Sequence, residues 1–367
     1  MGDCTPTIEA ELATMRADHA DLVRSGSGWS LRELFSTPDC DIVDYCKGFR
    51  PNRFGGQALA NAEAFSRRHG IWLEAGGAHY NSMTPYLHPN AISAERMTII
   101  GIYNAILFWL NDTVGREKFA ALSLDRQLRA KATVNSLCRL LETRCAAPEP
   151  APVEAATAEF IALLAERADA RWLDDFLEST AEHLRPAIRD QNAEARGELL
   201  SVADYIDLRA HVSGMYPAIA LCEFGRDEYL LWDRIRAAGL EDDVRRLRRL
   251  TVDIGALMND VFSFEKECIV DNADFNLIPV CLLDVPGATL VDAVQHAAAI
   301  VRDLVTEFRA VCVRLELTCR AVDDRPLVAT LSGHVADLVG SVQATWEWQI
   351  ATHRYKGESI FAENRLW

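Results

Sequence analysis

Apolar residues recur at intervals of three and four along most of the 367-residue sequence. Tyr103, Ile106, Leu107 and Leu110 show this spacing, which places side chains on one face of an α-helix. The same pattern fills the segments 92–111, 117–145, 153–185, 201–223, 226–268, 287–318 and 325–351. Alternating segments bounded by turn residues, which would indicate strands, are hard to find. The periodicity therefore predicts an all-α fold.

The sequence predicts one helical domain over residues 31–367. Its one marked shift in composition, Ala146–Ala156, is rich in Pro and Ala and is interpreted as a solvated loop. Helical periodicity of the same kind continues on both sides of it. The first 30 residues end in SGSG, Ser25–Gly28, and are predicted to be loosely attached. Because 49% of the residues are hydrophobic, the chain can bury a large core.

Charge and cysteine usage exclude several classes of protein. The net charge of −16 disfavours nucleic acid as a partner, and the basic run Arg245–Arg249 is interpreted as a solvated helix face. Ten cysteines without a CxxC pair indicate neither a disulfide framework nor a zinc site. No uninterrupted apolar run reaches the roughly 18 residues of a membrane span. We therefore expect a cytoplasmic protein, a monomer or homodimer, that neither inserts into a membrane nor binds nucleic acid.

A stripe of polar residues interrupts one apolar helical segment, Leu257–Asp271 (LMNDVFSFEKECIVD). Asn259, Ser263 and Glu267 follow one another at intervals of four, which is close to one helical turn. A solvated surface does not explain why an amide and a hydroxyl recur at this spacing among core residues. Oxygen ligands of this kind are those that Mg²⁺ prefers.

A second polar interruption follows the apolar run that ends at Leu110. Asn111, Asp112 and Glu117 come next, and Gly115 would allow the end of the helix to bend. If both carboxylates face the stripe on the later helix, the two groups together form an all-oxygen metal site. Taken alone, this second cluster is equally consistent with a helix stop followed by surface charge.

The stretch Asn259–Glu267 (NDVFSFEKE) resembles the second metal motif of class I terpene synthases of the microbial type, N-D-x-x-S-x-x-K-E. This resemblance implies that Asn259, Ser263 and Glu267 bind Mg²⁺. It also implies that Lys266 contacts the diphosphate of the substrate.

Three further motifs occur in the order of this family, and the resemblance extends from about residue 70 to Tyr355. Phe108–Glu117 (FWLNDTVGRE) lies where the aspartate-rich motif belongs. The segment YIDLRAHVSG is similar to the family's Y-x-x-x-R segment. It implies that Arg209 senses the diphosphate and that Ser213 and Gly214 form the helix break that responds. The segment WEWQIATHRY resembles the closing Arg-Tyr pair, here Arg354 and Tyr355.

The aspartate-rich motif departs from the family's usual pair of adjacent Asp residues. If Asp112 aligns with the first Asp, Thr113 replaces the second and Glu117 keeps the later acid. If Asn111 aligns with the first, Glu117 sits one place too far along the chain. We favour Asp112 and Glu117 as ligands, because the family's first Asp carries most of the coordination.

The resemblance implies a single-domain helical bundle around a central apolar cavity and a cofactor of three Mg²⁺ ions, for which Mn²⁺ can substitute. The implied reaction ionises a C15 or C20 prenyl diphosphate, linear or already cyclised, and converts the carbocation to a terpene. Ring faces stabilise cations. The four aromatic residues predicted to line the cavity are Phe108, Trp109, Phe262 and Trp348.

Two other functions are compatible with the sequence. A chain-elongating prenyltransferase shares the helical fold but typically needs two full aspartate-rich motifs, of which this chain has one degraded copy. A non-catalytic isoprenoid-binding protein would account for Thr113. However, such a protein has no need for the phosphate contacts implied for Arg209, Lys266 and Arg354.

Overall fold

The computed structural model describes residues 4–115, 119, 122–187 and 191–365, and for residues 4–7 the backbone alone. Within these ranges the regular structure is helical, and extended pairing is limited to single β-bridges such as Trp29 with Phe361. The prediction of an all-α fold is confirmed.

The α-helices are, in chain order, α1 (Cys4–Ser25), α2 (Leu31–Phe35), α3 (Ile42–Cys46), α4 (Gly55–Arg68), α5 (Gly77–Asn81), α6 (Thr84–Leu87), α7 (Ala94–Val114), α8 (Leu124–Thr143), α9 (Pro152–Ala165), α10 (Ala170–Ala187), α11 (Ala193–Arg196), α12 (Val202–Val212), α13 (Met215–Arg226), α14 (Trp232–Ala237), α15 (Glu241–Phe264), α16 (Leu277–Asp284), α17 (Leu290–Cys319) and α18 (Arg325–Ala351). A π-helical turn, Glu265–Val270, continues α15, and the 3₁₀ turns His353–Tyr355 and Ala362–Asn364 follow α18.

Three stretches that the sequence predicts as continuous helices are divided. The stretch 153–185 becomes α9 and α10, because the carboxylate of Asp169 accepts the backbone N–H groups of Arg171 and Trp172, each at 3.0 Å, and starts a new helix. The stretch 201–223 divides at Gly214, whose φ of +79° lies in the left-handed region that glycine adopts without strain. The predicted segment 226–268 is also divided, because α14 ends before α15 begins at Glu241.

Helix α15 runs through the centre of the fold. Every residue from Leu250 to Phe264 is buried except Asn259, which is half-buried. The helix packs against α17, α18, α12 and α13, and together they form much of the larger core cluster. A helix buried on all sides can carry a polar residue only where that residue has partners or faces a cavity. Asn259 therefore marks the side of α15 where polar partners or a cavity are expected.

Helix α7 belongs to the second core cluster, where it packs against α4 and α9. Among the described residues it is the one helix long and apolar enough to cross a membrane by length and composition. In this structure 56% of that apolar stretch is buried inside the protein, as is typical of a core helix.

The N-terminal segment is more closely attached than the sequence suggested. Where we expected residues 1–30 to be loosely held, helix α1 packs beside α16 and α17. Its Leu12, Met15 and His19 are buried, and the Nε of Arg16 donates to the carbonyl of Cys268 at 3.4 Å. The apolar spacing Leu12–Met15 was too short a signal to distinguish this helix from a solvated one.

Candidate active site

One cavity of about 200 Å³ lies between α7, α10, α12, α13, α15 and α18. Its wall is largely apolar, with Leu107, Leu184 and Met215 among the lining residues. Nine residues that the sequence predicted for the site also line it: Phe108, Arg209, Ser213, Gly214, Asn259, Glu267, Trp348, Arg354 and Tyr355. The structure therefore brings residues from four separate sequence motifs to one cavity.

The polar stripe on α15 points in part towards this cavity. Asn259 and Glu267 line it, and Ser263 lies buried between them in sequence, its Oγ 3.4 Å from the carbonyl of Asp260. Glu267 lies on the π-helical turn, and its Oε2 accepts a hydrogen bond from Nδ2 of Asn276 at 3.1 Å. That bond fixes the orientation of the carboxylate.

Arg209 forms a buried ion pair with Asp260, the residue that follows Asn259. Its Nη2 and Nε each lie 2.8 Å from Oδ1 of Asp260, and the hydroxyl of Tyr205 donates to Oδ2 of the same carboxylate. Burial acts to lower the pKa of Arg209, but the attraction of Asp260, its hydrogen bond and the nearby Tyr205 and Glu267 together outweigh this effect, so the pKa is raised. The guanidinium is thus a permanent cation held at the wall of the cavity.

The amide of Asn259 forms hydrogen bonds with three residues, of which Arg209 and Tyr355 were predicted for the site and Gln349 was not. Its Oδ1 accepts a long hydrogen bond, 3.4 Å, from Nη2 of Arg209. Its Nδ2 donates to Oε1 of Gln349 at 3.0 Å and to the hydroxyl oxygen of Tyr355 at 2.9 Å. Burial raises the pKa of Tyr355, so this phenol remains protonated and able to donate.

A histidine on α10, His183, contacts the break between α12 and α13. Nδ1 of His183 donates to the carbonyl of His211 at 3.0 Å, which satisfies one of the last carbonyls of α12. A Cβ atom at Gly214 would lie 3.5 Å from Nε2 of the same imidazole. Ser213 bonds locally, with Oγ donating to the carbonyl of Ala210 at 3.0 Å.

Asp112, in the first acidic cluster, lies close to Arg354. Oδ1 of Asp112 lies 3.6 Å from Nη2 of Arg354, whose guanidinium carbon lies 4.2 Å from the centroid of the Tyr80 ring. The hydroxyl of Thr113 instead donates back to the carbonyl of Trp109 within α7. Glu117, the other predicted ligand of this cluster, lies outside the described residues.

Two of the four predicted cavity aromatics lie elsewhere. Phe262 is fully buried on another face of α15, where its ring lies 5.7 Å from Trp346 and 6.3 Å from Phe35. Trp109 packs against the second core cluster. The prediction that these two line the cavity is wrong, because neither helical position turns its side chain inwards. Lys266 does not line the cavity either, and its Nζ lies 3.2 Å from the carboxylate of Asp271.

Sequence reasoning missed several residues of the site. Asp260 carried a usable signal, because a carboxylate inside a fully apolar helical run needs a buried cation as partner. Gln349 and Asn276 carried none, because each is a single amide whose position follows no repeated spacing, although both lie within or near a motif. Tyr80 lies on the short helix α5, which periodicity cannot detect.

The donor set fits a hard divalent cation. An amide oxygen, a hydroxyl and two carboxylates, from Asn259, Ser263, Glu267 and Asp112, are all-oxygen ligands. No group of three His, Cys, Asp or Glu side chains occurs at metal-binding distance among the described residues. Histidine or thiolate sites for softer metals are therefore not found in that part of the chain.

The profile of terpene synthase family 2, C-terminal metal binding, matches residues 102–307, which is more than half of the chain. The chain belongs to this terpene synthase family. The matched region includes the C-terminal part of α7 and the whole of α12 and α15, and thus three of the four motifs on which the resemblance was based. The Arg354–Tyr355 pair lies beyond it. The resemblance to class I terpene synthases is confirmed.

Curated relatives of this chain are named as terpene synthases. It is 28% identical to (2Z,6E)-hedycaryol synthase of Kitasatospora setae over 193 residues, 52% of this chain and 55% of that protein. It is 28% identical to Delta(6)-protoilludene synthase of Stereum hirsutum over 134 residues, 35% of each chain. The match to pristinol synthase of Streptomyces pristinaespiralis is 23% identical over 286 residues, 76% of this chain and 73% of that one. The first two matches thus cover about half and about a third of the relatives' length.

Solved structures share the fold of this chain. The crystal structure of α-eudesmol synthase superposes with a TM-score of 0.69 at 20% identity, covering 83% of this chain and 96% of that one. The crystal structure of the linalool/nerolidol synthase of Streptomyces clavuligerus in complex with 2-fluorogeranyl diphosphate superposes with a TM-score of 0.68 at 18% identity. The superposition covers 84% of this chain and 97% of that one. At these identities the likeness concerns the fold, and the predicted helical bundle around a cavity is confirmed.

Proposed function

We propose that this protein is a class I terpene synthase that ionises a C15 or C20 prenyl diphosphate, linear or already cyclised, and turns the carbocation into a terpene. One observation carries the proposal. A single apolar cavity is bordered by an oxygen-ligand stripe, Asn259 and Glu267, and by two buried guanidinium groups, Arg209 and Arg354. That combination suits an anionic head group joined to an apolar chain.

The residues proposed to hold metal are Asn259, Ser263 and Glu267 on one side and Asp112, with Glu117, on the other. We propose three Mg²⁺ ions, with Mn²⁺ as a substitute. When bound, the ions supply Lewis-acid stabilisation of the diphosphate as it departs. The distance of 3.6 Å between Nη2 of Arg354 and Oδ1 of Asp112 supports this arrangement, because Arg354 lines the same cavity as Asn259 and Glu267.

The cationic residues bind the diphosphate and hold it after ionisation. In that step the allylic C–O bond breaks and its electron pair stays on the diphosphate oxygen. Arg209 and Arg354 present planar guanidinium groups, which bind phosphate oxygens bidentately. Tyr355 donates its O–H, and Lys266, which pairs with Asp271 in this structure, is proposed to contact the diphosphate as the motif implies. Positive charge placed in advance stabilises the anion as it forms.

The cavity wall shelters the cation from water until the product forms. Phe108 lines the cavity with its ring 5.6 Å from Tyr80, and Trp348 is fixed by a hydrogen bond from its Nε1 to Oγ of Ser82 at 2.9 Å. A ring held in place offers its face to a passing cation without forming a bond to it. The reaction ends when the cation loses a proton or gains water.

We propose that the enzyme works in the cytoplasm, on a small-molecule substrate, as a monomer or homodimer. A chain-elongating prenyltransferase is disfavoured by the degraded aspartate-rich motif, and the curated relatives are named as terpene synthases. A non-catalytic binder is disfavoured because it has no need for the phosphate contacts that the motifs imply for Arg209, Lys266 and Arg354.

Incubation with C10, C15 and C20 diphosphates and Mg²⁺, followed by mass spectrometry of the products and assay of pyrophosphate, tests the proposal. We expect terpene formation from at least one substrate, and its loss in EDTA. Glu267→Gln serves as the matched inactive variant. Longer prenyl diphosphates as products would favour the prenyltransferase. Turnover that continues in EDTA, or tight substrate binding without release of pyrophosphate, would overturn the proposal.

A further inference from the structure

Gln349 lies on α18 at the cavity wall and is 1% exposed. Only one end of its amide is used. Oε1 accepts a hydrogen bond from Asn259, whereas Nε2 is buried with no hydrogen-bond partner among the residues that the structure describes. A buried donor without a partner destabilises a folded protein. If Gln349 only filled space, an apolar side chain of similar size would fill it at lower cost.

The orientation of both amides follows from the chemistry of their neighbours. Arg209 can only donate hydrogen bonds, so the atom of Asn259 that faces it must be Oδ1. The amide nitrogen of Asn259 then faces Gln349, so the atom of Gln349 that meets it must be the acceptor, Oε1. This sequence of donors and acceptors fixes the two amides without reference to which atom was assigned as nitrogen.

Both N–H groups of Asn259 are thereby engaged. One donates to Gln349 at 3.0 Å and the other to Tyr355 at 2.9 Å. A terminal amide has two faces related by a half-turn about χ2, and the preference between them is intrinsically weak. Only the oxygen face can bind a cation, because the nitrogen face carries hydrogen atoms and no available lone pair.

We propose that Gln349 is a positioning residue for Asn259. Its side-chain carbonyl accepts a hydrogen bond from the amide nitrogen of Asn259. The amide is thereby fixed in the orientation in which Oδ1 faces the divalent cation. The inference rests on the proposed function, since it takes Asn259 as a metal ligand. The unpartnered Nε2 of Gln349 is the consequence, because the carbonyl cannot face Asn259 unless the amine faces away.

Metal binding to the full-length protein tests this directly. Mg²⁺ is titrated calorimetrically in the presence of inorganic pyrophosphate, which cannot react. Gln349→Met keeps the size but removes the acceptor, and should raise the apparent dissociation constant for Mg²⁺ by about tenfold or more. Gln349→Glu keeps an acceptor and should stay close to wild type. Gln343→Met is the matched control, because Gln343 lies on the same helix and donates to the carbonyl of Tyr45 at 2.7 Å.

A second measurement distinguishes a wrongly oriented Asn259 side chain from a general loss of structure in the Gln349 variant. In an Asn259→Asp background both atoms of the side chain are oxygens, so no wrong face exists. Gln349→Met should then cause little further loss of Mg²⁺ affinity. Gln349→Leu makes the same comparison if Gln349→Met does not fold.

The outcomes distinguish this inference from the proposed function. If wild type fails to bind Mg²⁺ with pyrophosphate, the proposed function is wrong. If wild type binds and Gln349→Met binds equally well, the positioning role alone is wrong. Equal losses for Gln349→Met and Gln349→Glu, or an equal loss in the Asn259→Asp background, would also overturn it.

Discussion

The guanidinium carbon of Arg354 lies 4.2 Å from the centroid of the Tyr80 ring. Arg354 comes from the turn after α18, and Tyr80 from α5, more than 270 residues earlier in the sequence. The ring also approaches Phe108 on α7, at 5.6 Å between centroids. Tyr80 therefore contacts both Arg354 and α7, the helix that carries the aspartate-rich motif.

Replacing Tyr80 should weaken substrate binding through Arg354. A cation–π contact contributes about 0.5–2 kcal/mol, so Tyr80→Leu should raise KM for the prenyl diphosphate by about two- to thirtyfold. Tyr80→Phe keeps the ring and should change KM little. Tyr86→Leu is the control, because Tyr86 stacks on Phe49 at 5.9 Å instead of on an arginine. Equal KM values for Tyr80→Leu and Tyr86→Leu would contradict the role of the ring.

The buried pair of Arg209 and Asp260 should matter for stability. Asp260→Asn leaves a buried guanidinium without its carboxylate, and breaking such a pair costs about 3–5 kcal/mol in the free energy of unfolding. Urea denaturation measures the loss. Asp207→Asn removes the exposed partner of Arg249 and should cost at most about 1 kcal/mol. A loss no larger for Asp260 than for Asp207 would mean that the buried pair is not stabilising.

The first acidic cluster predicts unequal effects for neighbouring residues. Asp112→Asn should lower turnover by about tenfold or more, or about 1.4 kcal/mol of transition-state stabilisation. Thr113→Val should cost much less, because its hydroxyl is already engaged by the carbonyl of Trp109. Initial rates of the two variants, measured as a function of Mg²⁺ concentration, test this difference. Loss of activity in Asn111→Ala together with tolerance of Asp112→Asn would show that the alignment is shifted by one residue.

Phe108 and Phe262 should give opposite results when each is changed to Ala. Phe108 lines the cavity, so Phe108→Ala should alter the mixture of terpene products, measured by gas chromatography with mass spectrometry. Phe262 is fully buried in the core, so Phe262→Ala should reduce the free energy of unfolding by about 3–5 kcal/mol. Its product mixture should match that of wild type at a temperature where the variant is folded. An altered mixture for Phe262→Ala alone would reverse the assignment.

The sequence was most informative where several residues repeat a pattern. Helical periodicity predicted α7, α17 and α18 to within a few residues, because a buried face repeats over many turns. It did not predict the break before α10, which depends on one carboxylate at Asp169. The stripe of Asn259 and Glu267 was likewise visible because its spacing is regular.

Partners distant in sequence could not be predicted. Gln349 lies 90 residues from Asn259, and nothing near either residue encodes their hydrogen bond. The error over Phe262 has the same origin. Nearby positions on α15 face in different directions, and sequence spacing alone does not say which face meets the cavity. Only the packing of α15 against α18 decides that.

The π-helical turn after α15 makes the number of residues there as consequential as their identity. In an α-helix each step of four residues overshoots a full turn by about 40°. The wider π-helix rotates less per residue, so the turn that begins at Glu265 brings Glu267 back towards the line of Asn259 and Ser263. Deleting one residue between 263 and 267 would place this carboxylate three residues after Ser263, about 60° short of a full turn in an α-helix and off the line of the other two side chains. Length variation, which is harmless in a surface loop, would here disable the protein even if every ligand of the motif were still encoded.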